Sequence, residues 1–264
     1  MIKMSEPSIL VKKHVPSGTI VLNRPDKRNA LSRNMIADLE QALRDFHGEK
    51  KVRAVIITGA GSAFCAGLDL SEMHETCQSD EALQKWHEDS VQLRELYQYM
   101  LRFPKPIIAA VNGPAVGAGA GLVLASDIVI AAKEATFGFP EPQRGIVSGL
   151  CAPLLTFRIG GGHAAKLLLT AERISADRAQ QIGLFEELVS HDLLWARAAE
   201  ICKTIEKSAA EAVSLTKRVL NETIGEHLEM LLAAGAAASA TSKTTQAASE
   251  GLSAFVEKRE PNWP

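Results

Sequence analysis

Between Lys105 and Glu141 the chain reads KPIIAAVNGPAVGAGAGLVLASDIVIAAKEATFGFPE, and two of its features are suited to chemistry. Gly117, Gly119 and Gly121 alternate with alanines where an apolar strand gives way to a short apolar helix. A helix that begins this way leaves backbone N–H groups unpaired at its positive end, where negative charge is favoured. Twenty residues after Gly121, a second apolar stretch runs to Phe139-Pro140-Glu141. If that strand returns to the same cavity, an anion hole faces a carboxylate, the pairing needed to stabilise a developing oxyanion while a proton moves.

The flanking elements must bring these groups together. Ser8–Lys13 and Thr19–Asn23 read as a hairpin around Pro16-Ser17-Gly18. Ser32 is placed to cap a helix carrying Met35, Ile36, Leu39, Ala42, Leu43 and Phe46 at helical spacing up to Gly48. Val52–Gly59 is a nearly continuous apolar strand, as expected when both faces are covered, and it runs into a glycine turn from Gly59 to Leu70. Strand followed by glycine loop therefore occurs twice. Asp80–Arg102 is helix-forming, and Pro104 and Pro106 end it. Beyond Glu141, short helices are expected over 152–158 and His163–Thr170, with Gly160-Gly161-Gly162 as a close-packing turn between them. No Gly-Lys-Ser/Thr follows the triplet, so it is not a phosphate loop. Ser175 caps a further helix ended by Gly183. From Asp192 the pattern is helical throughout, which predicts an α/β body over 1–200 and a helical region over 201–264. The small residues Ala233–Ala240 suit close helix approach, either within the chain or between copies of it.

Composition excludes several classes of function. The 264 residues carry 29 basic and 31 acidic side chains, so nothing marks a non-specific nucleic-acid or membrane-surface binder. Cys65, Cys77, Cys151 and Cys202 are scattered without zinc-site or disulfide-framework spacing, and free thiols in a reducing cytoplasm are expected. His74 and His87 lack metal-motif spacing, and no metal is assigned. No apolar run has the length of a membrane span, and the N-terminal residues have no apolar leader segment.

Asn23-Arg24-Pro25 with Asn29-Ala30-Leu31, Ala63–Leu70, Lys105-Pro106 through Asn112-Gly113, Ala125-Ser126-Asp127 and Phe137-Gly138 with Glu141 resemble the enoyl-CoA hydratase/isomerase (crotonase) superfamily. Leu169–Ala176, Ile182-Gly183-Leu184 and Ala254–Arg259 continue the likeness, which covers nearly the whole chain in order. The resemblance implies a β-β-α spiral with a C-terminal helical region that mediates trimers, often paired into hexamers. It also implies an acyl-coenzyme A thioester as substrate and no separate cofactor. The thioester enolate would be held by the backbone N–H groups of Leu68 and Ala118. Ala66 corresponds to a position whose backbone recognises adenine. Lys27 and Arg28 correspond to a loop near the nucleotide and are either phosphate contacts or solvated cations. Phe255 and Lys258 correspond to residues that reach a neighbouring subunit's coenzyme.

Glu141 matches one of two glutamates of the two-carboxylate hydratases, and the other falls on Gly121. Hydration of a 2-enoyl-CoA with Glu141 as acid/base is the first reading, and Δ3,Δ2-enoyl-CoA isomerisation by Glu141 alone is the alternative. Asp69, Glu72, His74 and Glu75 are the residues that could replace the missing acid, or else they occupy a solvated helix face. Arg144 either pairs with Glu141, depressing its pKa, or faces outward. Ser148–Ala152 departs from the usual glycine-rich turn and implies a reshaped acyl pocket. Two readings from other classes are weaker. A dinucleotide-binding module lacks the full Gly-x-Gly-x-x-Gly, and a non-catalytic RNA-binding relative lacks a basic helix.

Overall fold

The computed structural model describes residues 7–223 and 227–263. In chain order the elements are β1 (Ile9–His14), β2 (Ser17–Leu22), α1 (Arg33–Gly48), β3 (Ala54–Gly59), α2 (Leu70–Cys77), α3 (Ala82–Arg102), β4 (Ile107–Val111) and β5 (Ala115–Val116). They continue with α4 (Ala118–Leu124), β6 (Ile128–Ala132), β7 (Thr136–Gly138), α5 (Cys151–Thr170), β8 (Arg173–Ser175), α6 (Ala176–Gln181) and β9 (Glu187–Val189). The remaining helices are α7 (Leu194–Glu206), α8 (Ala210–Arg218), α9 (Leu228–Ser242) and α10 (Gln246–Glu257).

Six strands form one sheet in the order β1-β2-β3-β4-β6-β9, parallel except for the antiparallel β1–β2 hairpin. Its central strands β3 and β4 are almost entirely apolar because both faces are covered. Val55, Ile57, Ala109 and Val111 point into the main core, whereas Ala54, Ile56, Ile108 and Ala110 point to the other side, where α7 packs with Leu194, Ala198 and Cys202. The second sheet is small, β5-β7-β8, and it carries the second glycine loop and the turn that leads to Glu141. As the sequence predicts, the Ser32 hydroxyl accepts from the Met35 N–H to cap α1, and Ser175 accepts from Arg178 to cap α6.

Three features differ from the sequence expectation. The helices read on either side of Gly160–Gly162 run together as α5 with a break at Gly160, whose φ of +75° favours glycine. The triplet does not serve close packing, since a Cβ at any of the three would meet nothing within 4 Å. The short strands β5, β7, β8 and β9 have only two or three residues each and carry no alternation to read. Finally, the boundary read at residue 200 falls inside α7, which covers the large sheet. Residues 1–6, 224–226 and 264 of the two segments lie outside the described residues.

The C-terminal helices fold back on the body of their own chain. Lys217, buried on α8, makes an ion pair with Asp127 at 2.7 Å and donates to the carbonyls of Met100 and Lys105. Helix α9 buries Leu228, Leu232, Ala236 and Ala240 and packs on α3 and α5, leaving Met230 and Leu231 exposed on its other side. The alanine-rich helix therefore packs within its own chain and still presents an uncovered apolar face. Gly235 of α9 lies against Gly149, where a Cβ on either residue would stand 2.1–2.2 Å from the other's carbonyl oxygen. Gly235→Ala should therefore destabilise the protein by about 2 kcal/mol or more, lowering Tm in a thermal melt. Gly161→Ala, which has open space around it, should leave Tm unchanged or raise it.

Candidate active site

The first glycine loop is held by buried amides. Asn29, fully buried with a left-handed φ of +57°, accepts from the Arg24 N–H and donates to the carbonyls of Ala60 and Ala63. Asn112 accepts from the Gly59 N–H and donates to Gly61 and Ala63. Arg24 donates to the Ala30 carbonyl and makes an ion pair with Asp69 at 2.8 Å. Next in the chain, the Leu31 N–H donates to Gly67 O and the Leu31 carbonyl accepts from the Asp69 N–H, a parallel bridge across Leu68. In such a bridge the middle residue's own N–H points away from its partner. The Leu68 N–H accordingly has no hydrogen-bond partner among the described residues.

The second loop lies beside it. Val116 N–H donates to the Cys65 carbonyl, and a Cβ on Gly67, whose φ is +93°, would stand 3.5 Å from Ala118 N. Ala118 opens α4, so its N–H has no intrahelical acceptor, and the described residues supply no other. β5 pairs in parallel with β7, and the Gly117 N–H donates to the Gly138 carbonyl at 3.0 Å. That register brings Glu141, three residues beyond Gly138, over Gly117. A Cβ at Gly117 (φ +56°) would lie 2.8 Å from Glu141 Oε1.

Glu141 Oε2 and Ser148 Oγ are both buried, and neither has a hydrogen-bond partner among the described residues. Burial raises the Glu141 pKa to about 7; its own backbone amide and the Ser148 hydroxyl, which lies near the carboxyl without making a well-formed hydrogen bond to it, offset only part of that rise. Arg144 does not pair with it; its guanidinium donates to the Gln143 carbonyl and lies 5.0 Å from the centroid of the Phe255 ring. Asp26 and Asp69 line the same cavity, and among the described residues none of the acids the sequence offered as a replacement is a free carboxyl beside Glu141. Burial works against ionisation of Asp69, but Arg24 and the Ser71 N–H prevail and hold its pKa low. Glu72 accepts from the Arg33 N–H, His74 faces Gln78, and Glu75 is exposed. The place a side chain would take at Gly121 is filled: a Cβ there would be 2.2 Å from the Tyr97 hydroxyl and 3.0 Å from Cys151 Sγ. Tyr97 is fully buried and donates to the Ala118 carbonyl at 2.7 Å, bracing the helix start from behind.

A cavity of about 480 Å³ brings most of the sequence-predicted residues together. Lys27, Arg28, Ala66, Leu68, Ala118, Glu141 and Phe255 all line it, and Lys258 does not. Phe255 lines the cavity of its own chain, because α10 packs on α2 and on the turn that carries Glu141. Sequence reasoning missed Tyr97, whose place in a helical apolar pattern gives no sign that its hydroxyl reaches a carbonyl. It also missed Lys243, which lies in the cavity wall. Among the described residues no cluster of His, Cys, Asp and Glu could hold a metal.

The family model for enoyl-CoA hydratase/isomerase matches residues 17–264. The chain belongs to that family. It is similar to a putative enoyl-CoA hydratase from Thermus thermophilus, with 36% identity over 252 residues covering 96% of this chain and 98% of that protein. A short-chain-enoyl-CoA hydratase from Clostridium acetobutylicum is 32% identical over 254 residues, 96% of this chain and 95% of that protein. Among solved structures, an enoyl-CoA hydratase/isomerase from Xanthobacter autotrophicus Py2 superposes with a TM-score of 0.87 at 31% identity, covering 96% of this chain and 93% of that one. The fold is thus the crotonase fold, and the chain is an enzyme of a lyase and isomerase family.

A stability test follows from the burial of Glu141. With its folded pKa raised, the stabilisation from holding it neutral is complete below about 4.5 and is lost as pH rises through about 7. Glu141→Gln should therefore be more stable than the parent at pH 8 by about 1–3 kcal/mol, and the gain should vanish near pH 4 in denaturant titrations.

Proposed function

We propose that this enzyme hydrates a 2-enoyl-CoA, with Glu141 moving the proton and the N–H groups of Leu68 and Ala118 holding the thioester oxygen. The observation that carries the reading is one carboxyl beside Gly117 whose Oε2 is buried without a hydrogen-bond partner, in the same cavity as two backbone donors without acceptors. Ionised Glu141 takes a proton from water as the hydroxide oxygen bonds to C3 of the enoyl group. The C2–C3 π electrons pass into the thioester, and the negative charge on its oxygen meets the two N–H groups, the second at a helix N-terminus. Protonated Glu141 then returns its proton to C2, which restores the carboxylate. A pKa near 7 suits a group that must accept and donate in one cycle. The relatives named as enoyl-CoA hydratases support this reaction over others on the same fold.

A second reading is Δ3,Δ2-isomerisation of an enoyl-CoA, in which Glu141 carries a proton between C2 and C4. It is favoured by the Tyr97 hydroxyl filling the space at Gly121, since one carboxyl is enough for that transfer. Lys27 and Arg28, exposed at the rim, suit the coenzyme phosphates, the Ala66 backbone suits the adenine, and Phe255 covers the opening. Lys258 and the bare face of α9 fit an assembly of three chains or a pair of trimers. Near-neutral charge does not favour an RNA-binding role, and no helix among the described residues is long and apolar enough to cross a membrane.

Product mass separates the two reactions. Crotonyl-CoA should gain one water, whereas a 3-enoyl-CoA converted without change of mass would establish isomerisation. Glu141→Gln should lower kcat by about 10²–10⁴-fold with acyl-CoA binding retained, and undiminished turnover would refute its role. For the parent enzyme kcat/KM should rise with pH through a limb near 7, because the free enzyme must hold Glu141 ionised; a limb near 4.5 would contradict the burial argument.

A further inference from the structure

Two lysines of the C-terminal helical region are buried, and they are treated in opposite ways. Lys217 is 5% exposed and fully satisfied by Asp127 and two carbonyls. Lys243, which ends α9, is 4% exposed and makes no hydrogen bond or ion pair through its ammonium among the described residues. The carboxylate whose charge acts on it, Asp89, is already engaged by two bonds from Arg33 at 2.6 and 2.7 Å. The groups facing Lys243 are thus the Arg33–Asp89 pair and the Cys77 thiol, which leaves one buried positive charge without an anion. Such a charge is unfavourable unless something neutralises it.

Lys243 also lines the cavity that holds Glu141, together with Ser239 one turn earlier and with Leu70, Met73 and Ile146. The other cations of the lining, Lys27, Arg28, Arg144 and Arg173, are exposed or half-buried, as suits phosphates that remain in solvent. Position along α2 sets the depth. Leu68 lies one residue before Asp69, the N-cap of this eight-residue helix, whereas Lys243 faces Cys77 at its far end, an axial rise of about 12 Å along the helix. A thioester held at Leu68 therefore sends a short acyl chain along α2 toward the ammonium.

We propose that Lys243 is a specificity residue for an acyl group that ends in a carboxylate, so that the substrate is the coenzyme A thioester of a short dicarboxylic acid. This rests on the placement of the thioester under the proposed function. Burial lowers the Lys243 pKa to about 8, which keeps it mainly protonated at neutral pH, and a carboxylate at the end of the acyl chain supplies the missing charge. Apolar Leu70, Met73 and Ile146 enclose the methylene segment between the two ends.

Calorimetric binding of saturated, unreactive thioesters tests this without relying on catalysis. The parent enzyme should bind glutaryl-CoA about 10- to 100-fold more tightly than hexanoyl-CoA at pH 7. Lys243→Met should abolish that preference by weakening glutaryl-CoA alone, leaving free coenzyme A affinity as it was. Equal weakening of both thioesters and of free coenzyme A would place Lys243 on a phosphate and overturn the proposal. Equal or tighter binding of hexanoyl-CoA by the parent enzyme would overturn it whether or not the variant folds. Loss of turnover in Glu141→Gln has no bearing on these affinities, so failure of the catalytic reading and failure of this one are distinguishable.

Discussion

The site depends on one backbone interaction, the Gly117 N–H donating to the Gly138 carbonyl at the end of the β5–β7 pairing. It fixes the start of α4, and so the direction of the Ala118 N–H, at a set distance along the chain from Glu141. The same stretch is tied to the first loop by Cys65, whose N–H donates to Pro114 and whose carbonyl accepts from Val116. Two glycines are required where these segments meet, because Gly67 and Gly117 both have positive φ and both stand where a Cβ would meet the opposite wall. The two free N–H groups and the carboxyl are therefore positioned by main-chain geometry, and side chains brace them from outside. Tyr97 holds the Ala118 carbonyl, while Asn29 and Asn112 hold the loop before Leu68.

The polar groups left unsatisfied at the cavity have a common logic. Most buried polar groups in the described chain find partners, as Lys217, Asn29 and Asn112 do. Glu141 Oε2 and the N–H groups of Leu68 and Ala118 do not, and their residues line one cavity together with Lys243, whose side chain is otherwise buried. Each lowers the stability of the empty protein and strengthens its interaction with a ligand that supplies what is missing. Glu141 and Lys243 show the same effect with opposite sign: burial moves the carboxyl pKa up and the ammonium pKa down, each toward neutrality.

Much of this was legible in the sequence because it is written in local patterns. Apolar runs in β3 and β4, the Ser32 and Ser175 caps and the glycine-alanine alternation before α4 each follow from a few adjacent residues. Glu141 stands out from the pattern of the second loop itself, Leu68 and Ala118 come from the motif resemblance, and the structure brings all three to one cavity. What escaped was decided by contacts distant in sequence. The strands β5, β7 and β8 are too short to show a period, and Tyr97 meets Gly121 across 24 positions. Gly121 by itself announced only a missing carboxylate, and it takes the neighbouring tyrosine to show that the space is filled. Lys243 was unreadable for the same reason, since an isolated lysine after an alanine-rich helix gives no sign that it is buried.

The proposed thioester site joins two glycine loops and one carboxyl. A crystal structure of the Glu141→Gln protein with crotonyl-CoA bound tests it most directly. The thioester oxygen should lie about 2.7–3.1 Å from both Leu68 N and Ala118 N, with the side chain at position 141 against the C2–C3 double bond. A thioester oxygen bound to solvent or to only one of these N–H groups, or a residue 141 turned away from the double bond, would contradict it.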